Sequence, residues 1–227
     1  IQNGQFLVGV QGEADVEGRG AGSVVDTYGS STVIADAGGA LGSLRIIDGA
    51  ELYSGGLTIG AGYHDPGYGQ NAPALGELII DGGTVNSGAA SLGERALGGG
   101  FASVVGGNWW INGGDLLVGN EGAGLVEIGS GGTVDSNGND VQIAAAGGSQ
   151  GRIDVLGGGA LEAGSLTIGG GYHDPGYGQN APALGELNID GGSVNSGAVS
   201  MGDTALGDGF ASVRNGDWRI NGGGLLV

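Results

Sequence analysis

The stretch Leu57–Ala89, LTIGAGYHDPGYGQNAPALGELIIDGGTVNSGA, returns almost unchanged at Leu166–Ala198 as LTIGGGYHDPGYGQNAPALGELNIDGGSVNSGA, 109 residues later. Inside that long period runs a shorter one of about 25 residues, a length that belongs to stacked architectures and not to a closed globule. Each unit opens with a short apolar strand that usually ends in glycine. These strands start near Phe6 (FLVG), Val33 (VIAD), Leu57 (LTIG), Ala90 (ASLG), Leu116 (LLVG), Val141 (VQIA), Leu166 (LTIG), Val199 (VSMG) and Leu225 (LLV). A variable loop follows, then a second strand such as Glu77-Leu78-Ile79-Ile80, a Gly-Gly turn, and a third strand such as Thr84-Val85-Asn86-Ser87. The template reads hxhG, loop, GxLxIxxGGxVxSG.

Alternation puts Leu57, Ile59, Leu78, Ile80 and Val85 on one face, with Thr58, Glu77 and Asn86 on the other. Three short strands with one apolar face each wrap into a coil that cannot bury that face alone. Stacking joins the faces into one column, with strands about 4.8 Å apart. The expected fold is all-β: a single continuous parallel β-solenoid (β-helix) over residues 1–227, right-handed by the crossover rule. Its coils are about 25 residues long, under the 109-residue higher-order repeat. Propeller blades need about 40–50 residues. The nonapeptide calcium motif is approached only at Gly113-Gly114-Asp115, and Gly224 replaces that aspartate in the second copy.

Composition narrows the function classes. The 59 glycines do not fall at every third position, which excludes collagen. A formal charge of −18, with six arginines and no lysine, opposes nucleic acid and anionic lipid surfaces. Without lysine there is no Schiff-base or lysine–asparagine cross-link chemistry. Without cysteine there are no disulfides or thiolate metal sites. The sequence shows no signal peptide or membrane span and begins and ends mid-repeat, as expected of a piece of a longer protein.

Units such as Gly185–Gly202 (GELNIDGGSVNSGAVSMG) and Gly124–Ala144 (GLVEIGSGGTVDSNGNDVQIA) resemble the glycine-rich repeats in passenger regions of bacterial autotransporters and related extracellular proteins. That resemblance implies a Gram-negative outer surface or extracellular location, export through an outer-membrane barrel, and roles in adhesion or self-association. The lack of cysteine agrees with it. The Tyr-His-Asp-Pro insertion is a departure from the family pattern.

That insertion, bounded at 61–75 and 170–184, is the first candidate for chemistry. It holds both histidines, all four prolines and four of the six tyrosines. Asp-Pro-Gly is a turn signal, so the insertion is expected to bulge from the stack. Tyr63, His64, Asp65 and Tyr68, repeated as Tyr172, His173, Asp174 and Tyr177, suit a glycan or protein contact, because amphipathic rings give large contact area. A divalent ion on the His-Asp pairs is a second reading, opposed by the lack of a third ligand. A structural role, with rings flat on the coil and polar groups tied to the loop backbone, is the third.

Asn108-Trp109-Trp110-Ile111 corresponds to Asp217-Trp218-Arg219-Ile220. Alternation sends Trp109 and Trp218 inward and leaves Trp110 outside as a candidate contact residue. Phe101 and Phe210 read as loop-closing apolar anchors. No acid pair stands out beside an arginine, and no nucleophile–histidine set or phosphate loop is found, so the chain is expected not to be an enzyme. The acidic surface is expected to hold calcium only loosely, and no resident cofactor or metal is implied.

The functional expectation is a repetitive stalk of a cell-surface or secreted fibrous protein, for adhesion or self-association end to end or side by side. The expected partners are further copies, or a glycan or host cell-surface receptor, with neither nucleic acid nor membrane insertion by this segment. A glycan-binding module on the tyrosine loops is the alternative, and a polysaccharide-degrading enzyme the third.

Overall fold

The computed structural model describes residues 4–27, 29–62, 72–171 and 181–227. It is a parallel β-solenoid of eight coils, without a helix among the described residues. Each coil contributes an opening strand, a second strand and a closing strand. The second strands, from Glu13–Arg19 to Gly207–Arg214, pair in chain order as an eight-stranded parallel sheet. Opening and closing strands form two further ladders. They fuse into one 15-stranded sheet because Glu51–Ile59 and Thr84–Leu92 run unbroken from a closing position into the next opening position. Strand pairing resumes at Ala74 and Ala183, so the ends of the insertions expected from sequence already lie within strands.

The opening ladder has the expected membership: Leu57 pairs with Ala90, Leu116 with Ala90 and Val141, and Leu166 with Val141 and Val199. Alternation holds along most strands, with Val33, Ile47 and Asp154 as exceptions that are buried at outward positions. Leu57, Ile59, Leu78, Ile80 and Val85 are buried, and one apolar cluster runs from Val8 to Val199. Each such side chain contributes about 1.5–3 kcal/mol on burial, so the column outweighs any single polar contact on the surface.

Two glycine positions set the cross-section. The residue closing the opening strand sits in the left-handed region, as at Gly119 (φ 73°); Ala35 (φ 57°) and Ala144 (φ 56°) take the same position in two coils. The second position is a row through the middle sheet, in which Gly42, Gly76, Gly100, Gly124, Gly151, Gly185 and Gly209 pair in succession. Here the main chain lies against the preceding corner. A Cβ on Gly151 would sit 2.1 Å from the Val118 carbonyl oxygen and 2.4 Å from the Ala144 nitrogen.

The serine of the template closes the coil. Ser136 Oγ donates to the Asn139 carbonyl, and Ser87 Oγ accepts from Trp109 Nε1 at 3.0 Å. Trp109 is fully buried, as alternation requires, and Trp218 repeats the contact to Ser196 Oγ at 3.2 Å in the half-buried last coil.

Gly151→Ala is expected to destabilise by about 1–3 kcal/mol in denaturant melts, because its two closest contacts are main chain and cannot yield. Gly18→Ala should go the other way, gaining about 0.4–1 kcal/mol. Its Cβ would meet only Ile46 Cδ1 at 3.4 Å and Ala50 and Val25 side-chain atoms at 3.7 and 3.8 Å. Ser87→Ala strands a buried indole N–H and should cost about 1–3 kcal/mol. Ser196→Ala should cost less, since Trp218 is only partly buried; equal losses would contradict the burial difference.

Candidate functional site

Tyr63, His64, Asp65, Tyr68, Tyr172, His173, Asp174 and Tyr177 lie outside the described residues. Trp110 is described: it points outward from the closing ladder, half-buried, with Asn86 on one side and Asp135 on the other. Among the described residues no three His, Cys, Asp or Glu side chains gather as a metal site.

The most featured surface is the outer face of the middle sheet. Register stacks its outward residues in columns. One runs Ser43, Glu77, Phe101, Leu125, Arg152, Glu186, Phe210; its neighbour runs Leu41, Leu75, Gly99, Ala123, Gln150, Leu184, Asp208. Between them lies a groove of about 740 Å³, walled by Leu75, Phe101, Leu125, Leu184 and Phe210 over a glycine floor. Phe101 and Phe210 are therefore not loop-closing anchors. Both are outward strand residues, and Phe210 is 56% exposed. Apolar character suggested an anchoring role, but each stands one step before an inward alanine, Ala102 or Ala211, and that parity fixes it on the outside.

Beside the groove a smaller cleft of about 290 Å³ is lined by Arg152, Asp154, Asn188, Asp190, Ser212 and Arg214, with Leu156 and Ile189. Asp154 is only 5% exposed. Its Oδ1 accepts from Arg152 Nε at 2.7 Å and from Asn188 Nδ2 at 3.1 Å, and Ser212 Oγ donates to Asn188 Oδ1 at 2.8 Å. Glu186 stands 3.9 Å from Arg152 Nη1. The hydrogen bond to Asp154 pushes the Arg152 guanidinium, already a strong base, further up. So an arginine does lie beside two acids, one of which comes from the next coil, 34 positions along the chain. Linear spacing hides that pairing. What signals it is alternation combined with the unit alignment, since Arg152 and Glu186 occupy the same template position.

The cleft can bind through both donors and acceptors: guanidinium N–H groups, carboxylate oxygens, a carboxamide and a hydroxyl. It lacks a nucleophile–base pair, and its one deeply buried acid is engaged by two donors.

Elsewhere, burial alone pushes the Asp36 carboxyl above the usual aspartate range. A raised folded-state value means that the charged form is disfavoured on folding, a burden present near neutrality and absent once both states are protonated. Asp36→Asn is therefore expected to raise the melting temperature at pH 7 and to leave it unchanged near pH 3, as read by melts across pH. A gain of the same size at both pH values would assign the effect to something other than charge.

No protein-family profile, curated protein or solved structure matches this chain in comparison.

Proposed function

We propose that the chain is a shaft segment of a bacterial cell-surface or secreted fibrous protein, of the autotransporter-passenger kind that its glycine-rich units resemble, serving adhesion or self-association. The observation that carries this reading is the unbroken stacking: successive coils pair in register on three faces, over one apolar column. Such a stack gains length by adding units, because each coil touches only its neighbours. Repeated outward side chains then return at fixed intervals, which favours many weak contacts acting together. The charge of −18 supports a well-solvated surface.

Eight coils at about 4.8 Å each give a shaft on the order of 40 Å long. A tandem fusion whose second copy continues the template in phase should add the same length again in X-ray scattering, at constant cross-section. A fusion that grows in width instead would sink the shaft reading. Beads coated with the fusion should adhere to whole cells, or to one another, more strongly than beads carrying the single chain; equal or absent adherence would count against the adhesive half of the proposal.

A further inference from the structure

Inside, the two copies of the long repeat differ at few strand positions: Ala90 corresponds to Val199 and Leu92 to Met201, and the buried, hydrogen-bonded pair Thr32 and Ser54 corresponds to Val141 and Ala163. On the outer face of the middle sheet, Ser43, Arg45, Ile79 and Val105 correspond, 109 positions later, to Arg152, Asp154, Asn188 and Arg214. All four of the later residues line the 290 Å³ cleft. The earlier coils stack equally well with their own residues there, so stacking does not require the polar set. Two of the chain's six arginines meet in this one place.

We propose that this cleft is a binding site for a neutral, hydroxyl-rich oligosaccharide. Its lining balances two guanidinium groups, Arg152 and Arg214, against two carboxylates, Asp154 and Asp190, and adds the carboxamide of Asn188 and the hydroxyl of Ser212. A sugar's vicinal hydroxyls both donate and accept, which is what a mixed set of donors and acceptors matches. Asp154, deeply buried and fixed by Arg152 and Asn188, holds the arrangement before any ligand arrives. Arg214 forms no ion pair among the described residues, although Asp190 is its register partner on the neighbouring strand. The cleft meets the apolar groove at Arg152, and the exposed Phe210 ring on that side offers a surface for the C–H face of a sugar. A polyanionic glycan is disfavoured, because Asp154, Asp190 and the nearby Glu186 offset both guanidinium groups and the whole chain carries −18.

The test is binding of cellohexaose, mannohexaose and hexagalacturonate to the 227-residue chain, by saturation-transfer NMR and calorimetry. Binding to at least one neutral hexasaccharide is expected, about tenfold weaker in Arg214→Val and in Asn188→Ile, which install the residues of the first copy. Arg214 holds no ion pair among the described residues, so Arg214→Val should melt like the parent and serves as the readout if Asn188→Ile loses stability. Overturning results are no binding to either neutral sugar, neutral-sugar binding untouched by Arg214→Val, or binding to hexagalacturonate alone. Each of these leaves the shaft reading standing.

Discussion

The structure depends on how closely the middle sheet's main chain lies against the corner that follows each opening strand. At Gly151 the space where a Cβ would stand is already filled by the Val118 carbonyl and the Ala144 amide. That contact recurs up the row from Gly42 to Gly209, and it keeps the coil narrow enough for one layer of Leu, Ile and Val to fill it. A wider coil would leave voids that this chain, with three tryptophans and three phenylalanines, has few large side chains to fill. Much of the glycine content is thus a consequence of cross-section, not of flexibility.

Once the interior is constrained in this way, chemical variety is concentrated in the outward half of each strand, with the buried Thr32–Ser54 pair as an inward exception. Inward positions accept changes such as Ala90 against Val199, where volume is traded within a neighbourhood. Outward positions accept Ile79 against Asn188, or Trp110 against Arg219, with the strand register kept. Any recognition by such a protein is therefore written in outward columns, and a column is read along the axis, across coils. The Arg152–Asp154–Asn188–Ser212 network spans three successive coils and exists only because register is kept among them.

That distinction explains what was legible in the sequence. The opening strands, the three-strand template and the inward set could be read directly, because alternation and glycine corners are local signals. The same reasoning separated Trp109 from Trp110. It failed for Phe101 and Phe210, whose apolar character suggested an anchoring role while their parity placed them outside. The cleft was hidden because its members lie in different coils, whose lengths vary with the insertions: Arg152 is separated from Glu186 by more chain than Glu77 is from Phe101, although both pairs are register neighbours. The template serine was visible as a pattern without a reason; its role as partner to the Trp109 indole needs the stacked neighbour.

Charge and main-chain pairing then act along different directions. Carboxylates outnumber bases 24 to 6, and some stack with no base between them, as where Asp135 stands directly beside Glu162. Their repulsion reaches about 8 Å at physiological ionic strength, far enough to oppose flank-to-flank approach of two such shafts. Along the axis the balance differs, because a strand edge offers a full row of N–H and C=O groups to whatever coil lies above it. The apolar groove is a break in that lateral barrier, and its walls are interrupted by Glu77, Glu186 and Asp208. A second shaft pressed into it would have to desolvate those carboxylates against its own, whereas an uncharged sugar ring brings no such penalty. The distribution of charge thus favours extension along the axis and small neutral ligands on the flank.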